Sequence, residues 1–325
     1  MRSGGAINTT TTLSANLWTY YNKRLLSRLE ENLKLYQLGD MRPLPKGYGK
    51  VVYFLRYNNM TVDDAQTLAE GSPPNDTALS SVNVSAEIVQ YGNYTIVSDM
   101  ITTTAIDPVV NSAIDVLSYN ANTKIDTVLR TELDAVGGTQ YANGKTALSD
   151  VSTSDVLTAK EFLKASTTLK SNAVPTRADG NFVAVCHPAV LYDVMNDVAV
   201  GGWTDMTKYV TAENMYKGEV GKAYGVRVIE SQNMSHVAVG TSGTATVFNT
   251  LVMGNECFAV IELSGQNLKT YIKAAGSAGT ADPLDQRSTV GYKMTFAVKY
   301  LGGEAAFDTD RLIKIKSGTA SGVTS

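Results

Sequence analysis

The sequence predicts an α+β fold organised around one long helix. Three observations carry that prediction: an apolar stripe at helical spacing over residues 107–138, β-rich runs on both sides of it, and a change of texture near residue 181, where short strands and helices begin to alternate.

The long helix is the most legible element. Asp107 can cap its start through the carboxylate, and Pro108 suits the first helical position. Val110, Ile114, Leu117, Ala121, Ile125, Val128 and Leu133 recur mostly three or four residues apart and paint one apolar stripe, while Asn111, Asp115, Ser118, Asn122, Lys124, Asp126 and Arg130 fall mostly away from it. Gly137-Gly138 ends the run. At ~1.5 Å per residue the rod is roughly 40 Å long. It lacks the sustained heptads of a coiled coil and is too polar to span a membrane.

Ahead of it, residues 1–12 are rich in Gly and Thr and read as a mobile arm. Residues 17–38 follow as an amphipathic helix with Trp18, Tyr21, Leu25, Leu29, Leu33 and Tyr36 on one side, stopped by Gly39. It needs a surface to lie on, either its own body or a neighbouring subunit. Pro43, Pro45, Gly47 and Gly49 break the chain before a β-rich run at 51–57, and a strictly alternating strand follows at 82–88. The long polar connection over 58–81 makes this an extended hairpin, an arm that reaches another molecule. A strand at 91–100 then feeds the long helix.

Beyond the helix, Asn143-Gly144 marks a turn, and 154–172 reads as a helix with Val156, Leu157, Phe162, Leu163 and Leu169 as its apolar set, capped by Ser154 or Asp155. Residues 182–186 form an unbroken apolar run, as in a strand buried on both faces. His187-Pro188 turns into a helix over 189–199, closed by Gly201-Gly202. Strands at 226–230, 250–253 and 258–263 complete a compact lobe over 181–265. Residues 274–281 are small and flexible by composition, strands follow at 290–300 and 312–316, and 317–325 is a tail.

Composition narrows the function. The 325 residues are 43% hydrophobic and 18% charged, enough for a sizeable core and two or three lobes. A formal net charge of -3 does not favour tight binding to bulk nucleic acid. The N-terminus has no apolar signal-peptide core, and no apolar stretch is long enough to cross a membrane. Cys186 and Cys257 sit in apolar strand-like runs and read as buried thiols of a protein made in a reducing cytoplasm.

Candidate chemistry is sparse. His187 and His236 with the two cysteines match no zinc spacing, and adjacent Cys186 and His187 would point to opposite faces of a strand, which also spoils a Cys-His nucleophile. Residues 138–146 resemble a phosphate-binding loop, but with one residue too many between Gly138 and Gly144, and after a helix where the motif follows a strand. Asp193, Asp205, Glu213 and Glu219 show no paired spacing. No catalytic, cofactor-binding or metal-binding residue is assigned. What remains is a set of extended parts, which make sense if other copies of the chain bury them.

The motifs in order support that reading. Leu44-Pro45-Lys46 with Gly49-Lys50, Leu68-Ala69-Glu70-Gly71 with Pro74, Gln90-Tyr91-Gly92 with Ser98-Asp99, Cys186-His187-Pro188, Gly218-Glu219-Val220-Gly221 with Gly225-Val226-Arg227, and Asp282-Pro283-Leu284-Asp285-Gln286-Arg287 with Thr289-Val290-Gly291-Tyr292-Lys293 resemble the N4-type family of tailed-phage major capsid proteins. The family tends to carry tryptophan where this chain has Tyr292. The resemblance covers about residues 15–316.

The resemblance implies the HK97-like capsid fold: an N-terminal arm (1–45), an E-loop hairpin overlapping the neighbouring subunit (46–99), a peripheral domain (100–180) with a spine helix at 107–136, an axial domain (181–265), a return to the peripheral domain (266–316) and a tail (317–325). It implies a non-enzymatic major capsid protein of a double-stranded DNA tailed phage. The chain would self-assemble in the bacterial host cytoplasm into pentamers and hexamers of the icosahedral head, and reside in the virion. Implied partners are further copies of the chain, a separate scaffolding protein, the portal, a decoration or cement protein, and packaged DNA by weak non-specific contact, with no membrane. Arg56, Glu70, Asp76, Asp282 and Arg287 are the candidate inter-subunit contacts. The alternatives are an encapsulin-like shell with enzyme cargo and a phosphate-binding enzyme using 138–146.

Overall fold

The computed structural model describes residues 34–57, 60, 67, 70–71, 76–104, 109–197, 219–239, 245–264, 268–277, 282–303 and 310–320. Among these the chain forms two larger sheets and a two-stranded ribbon, with one long helix wedged between the two sheets.

The first sheet is built on β13 (Arg287–Tyr300), a strand of 14 residues. Its first ten residues pair antiparallel with β4 (Val89–Ser98) along one edge; the other edge carries β12 (Lys269–Lys273) and, on the last five residues, β11 (Phe258–Leu263). β1 (Asp40–Leu44) closes the sheet in parallel on β11. Strand alternation puts Val290, Tyr292, Met294 and Phe296 into the core and leaves Arg287, Thr289, Gly291 and Lys293 on the opposite face.

The long helix α2 (Val109–Ala135) packs against that core face. α1 (Asp99–Thr104) precedes it, so the strand expected over 91–100 ends at Ser98: the Asp99 carboxylate accepts the Met100 N–H at 2.7 Å and opens a helix there. Ile114, Leu117, Ala121, Ile125 and Leu133 of the expected stripe are buried, joined by Leu129. The polar side departs from expectation. Ser118, Asn122 and Asp126 are buried too, because a turn of the second sheet lies over this side of the helix. Gly137 at φ 79° ends the helix as expected, and the residues read as its cap, 107–108, lie outside the described residues.

The second sheet runs β5 (Gly138–Tyr141), β14 (Leu312–Ser317), β10 (Ala245–Met253), β6 (Phe182–Cys186), β8 (Val226–Glu230), β7 (Glu219–Ala223), with β9 (His236–Val239) on the outer end of β10. β6 is central and fully buried, as its apolar run predicts. Val183 and Val185 face α2; Phe182, Ala184 and Cys186 face α3 (Ala159–Ser171) and α4 (Pro188–Met195).

Several boundaries differ from the sequence reading. α3 starts at Ala159, not 154, because Asp155 is used by the preceding turn, where it accepts from the Ser152 amide at 2.9 Å, the Ser152 hydroxyl at 2.7 Å and Asn143 Nδ2 at 2.9 Å. α4 ends at Met195, capped at its start by His187, and β10 begins at Ala245, five residues before the strand expected at 250. Sheet membership also cuts across the segments drawn along the chain. β11 leaves the 181–265 span for the first sheet, and β5 and β14 join the second, since ladder partners rather than chain order decide which layer a strand enters. Of the expected N-terminal helix, 17–33 lies outside the described residues; Tyr36–Leu38 forms one 3-10 turn that ends at Gly39.

Candidate assembly surface

The ribbon pairs β2 (Val51–Tyr57) with β3 (Ser81–Glu87), from Val51 opposite Glu87 to Tyr57 opposite Ser81. One of its faces is rooted: Val52, Phe54 and Ala86 pack with Leu44, Ile261 and Ala297 of the first sheet. The other face presents Val51, Tyr53, Leu55 and Tyr57 to solvent, each opposite a polar or charged residue of β3. An isolated two-stranded ribbon is marginal in water, and a contiguous exposed apolar strip marks an interaction surface.

The outer face of the first sheet is the second feature. Pairing places Tyr94, Gly291 and Tyr271 side by side across three strands. The flanking rows are Ile96, Thr289 and Lys273 on one side, with Arg287 one step beyond, and Gly92, Lys293 and Lys269 on the other. Tyr94 is 67% exposed and Tyr271 41%. With no side chain on Gly291, a trough of about 410 Å³ opens between the tyrosines, lined also by Ile96, Lys273, Asp282 and Arg287. The four cations Lys269, Lys273, Arg287 and Lys293 are all exposed, so this face is positive.

The sequence candidates distribute over these two features. Glu70 and Asp76 are exposed in the connection between β2 and β3. Arg56 lies on β2 opposite Val82, and its side chain is outside the description. Asp282 and Arg287 are brought together: the Arg287 amide donates to Asp282 Oδ2 at 2.8 Å, and the guanidinium Nε stands 3.8 Å from the same oxygen. Asp282 is only 5% exposed, so its carboxylate anchors the start of β13 and leaves Arg287 as the outward member. Tyr94, Tyr271, Lys269, Lys273 and Lys293 were not singled out from sequence. The alternation in Lys269-Thr270-Tyr271-Ile272-Lys273 is the signal that could have found Lys269, Tyr271 and Lys273.

The candidates for chemistry fall into structural roles. Residues 138–146 form β5 and a tight turn with Asn143 at φ 55° and Gly144 at φ 69°, and Lys145 stands 3.9 Å from Asp155, so the backbone amides do not open a helix onto a phosphate. His187 and His236 lie against the Phe248 ring, with centroids 4.6 and 5.6 Å away. Cys186 and Cys257 are buried, and burial pushes both thiols up to about 12. Asp193 accepts the Ala320 N–H at 3.1 Å, Glu219 opens β7, and Asp205 and Glu213 lie outside the described residues. Among the described residues no cluster of His, Cys, Asp or Glu is arranged to hold a metal, and no helix is long and apolar enough to cross a membrane.

A family model described as phage capsid protein matches residues 82–313. The capsid of Ralstonia phage GP4 superposes with a TM-score of 0.67 at 13% identity, over 89% of this chain and 92% of that one. The head structure of Helicobacter pylori bacteriophage KHP40 gives 0.65 at 10% identity, over 88% and 92%, and the cyanophage Pam1 capsid gives 0.63 at 15%, over 86% and 89%. No curated protein is matched by the sequence.

Proposed function

The chain belongs to the phage capsid protein family, and on that premise we propose how it builds a shell. It is a major capsid protein with the HK97-like α+β fold, and its role is structural. In our reading it is of the N4-type branch and closes pentamers and hexamers of an icosahedral head in the host cytoplasm, with the help of a scaffolding protein, a portal and a decoration protein. The first sheet with α2 forms the peripheral domain, and the second sheet carries the axial domain. Packaged DNA touches it weakly, in keeping with the net charge of -3.

The observation that carries this reading is the complementarity of the two surfaces. Between β2 and β3 the sequence holds Asp63, Asp64, Glu70 and Asp76 and no Lys or Arg. The outer face of the first sheet offers Lys269, Lys273, Arg287 and Lys293 around two exposed tyrosines. The hairpin of one copy lies on the sheet face of the next, with Tyr53, Leu55 and Tyr57 supplying apolar area. Arg56, Glu70, Asp76 and Arg287 are the charged contacts, with Asp282 taking part by holding Arg287. Charges so placed set register and encounter rate more than affinity.

Electron microscopy of the purified protein, alone and co-expressed with its scaffolding partner, tests this. Closed icosahedral shells are expected. A protein that stays monomeric at every concentration and in both preparations overturns the proposal, and shells that co-purify with an enzyme cargo point instead to a protein compartment.

A further inference from the structure

The long helix is tied to the second sheet by polar contacts that climb one side of it. Asn233, in the turn after β8, is held twice: its Nδ2 donates to Asp126 Oδ2 at 3.2 Å, and its carbonyl accepts from Arg130 Nη1 at 2.6 Å. Two turns along, Asn249 of β10 donates to Asp134 Oδ1 at 3.1 Å and to Ser235 Oγ at 2.8 Å, and Lys314 Nζ donates to the Asp134 carbonyl at 2.9 Å. Asp126, Arg130 and Asp134 are four residues apart, so one edge of the helix makes the whole seam.

Asp126 is the anomaly in it. The residue is 2% exposed, and its Oδ1 is buried with no hydrogen-bond partner. A groove of about 320 Å³ runs beside it, lined by Tyr119, Asn122, Glu230, Ser231 and Asn233. Among the described residues the charged or titratable groups facing it are Arg130 on the same helix, Glu230 at the end of β8, and Lys34 and Tyr119 along the groove. Burial disfavours the charged form, while the Asn233 hydrogen bond and Arg130 favour it. Burial prevails and pushes the carboxyl up to about 6.

We infer that Asp126 makes the contact between the long helix and the second sheet a proton-sensitive joint. As a neutral acid it lets the Asn233 turn stay docked on the helix. As a carboxylate with one buried oxygen unpaired, it favours a state in which the turn lifts and water enters the groove. The docked state binds the proton more tightly than the lifted one, so docking is strongest below the ordinary value of 3.8 and weakens as pH rises through about 6. In a shell subunit such a joint adjusts how firmly the two sheets hold one another. The inference does not depend on assembly.

Hydrogen exchange of the full chain between pH 4.5 and 7.5, corrected for intrinsic rates, tests it. Protection over 230–235 is expected to fall on the order of tens-fold in the native protein as pH rises, the size set by about two pH units of linkage. Asp126→Asn, which cannot ionise, should show a flat profile. Asn233→Ala, which removes the side-chain tie and leaves the carbonyl bond to Arg130, should be less protected than the native protein at each pH. An Asp126→Asn profile that follows the native one overturns the inference, as does an Asn233→Ala protein as well protected as the native one.

Discussion

Gly291 on β13 faces Tyr94 on β4 so closely that a Cβ added to the glycine would stand 2.7 Å from the tyrosine Cβ and 3.0 Å from the Asn93 carbonyl oxygen. The glycine is there for close approach, because any side chain would fill the trough floor and push the ladder apart. Gly291→Ala should therefore destabilise the subunit by about 1–3 kcal/mol in thermal or denaturant unfolding. The cost should be smaller in a Tyr94→Gly background, which removes the Cβ met at 2.7 Å. A Gly291→Ala protein as stable as the native one would show the contact to be slack.

Reversing charge on the sheet face separates assembly from folding. Lys273→Glu with Arg287→Glu should leave the far-ultraviolet circular dichroism unchanged. The concentration at which shells form, read by sedimentation, should rise at least tenfold, about 1.4 kcal/mol. Glu70→Lys with Asp76→Lys on the same chain should restore part of the loss. Native assembly should weaken with added salt, since these charges are exposed.

His187 predicts an acid-sensitive helix. Its Nδ1 accepts the Ala189 N–H at 3.1 Å and caps α4, which a doubly protonated ring cannot do. Burial, aided by His236, pushes its pKa below the ordinary 6.5. The unfolded chain therefore binds the proton more readily. The contribution is present in full above 6.5 and is lost as pH falls through the folded value. Unfolding midpoints should drop on acidification over that range. His187→Asn keeps a capping oxygen without titrating there, and should flatten this part of the profile; an unchanged profile would assign the acid sensitivity elsewhere.

The two thiols should be inert in the folded protein. Cys186 and Cys257 are buried and held almost wholly protonated at neutral pH. A thiol reagent should label neither before unfolding and both after it, followed by mass spectrometry. Rapid labelling of Cys186 in native protein would mean that the second sheet opens readily, because its position lies in the fully buried central strand.

By itself the amino-acid order determined the parts that neighbouring residues encode. The period of Ile114, Leu117, Ala121 and Ile125 specifies the long helix, the alternation in Ser81–Glu87 specifies a ribbon strand, and the unbroken run Phe182–Cys186 specifies a strand covered on both sides. Only the tertiary structure decided where those parts meet. Tyr94 and Tyr271 flank Gly291 because β4, distant in sequence, pairs with β13 in register with β12. Asp126 is buried on the side of the helix that its own periodicity assigns to water, because the Asn233 turn closes over it. Periodicity reports a side chain's direction relative to residues a few positions away. A ladder register or a buried carboxylate depends on partners up to about two hundred residues off, whose position is set by the burial of the whole core.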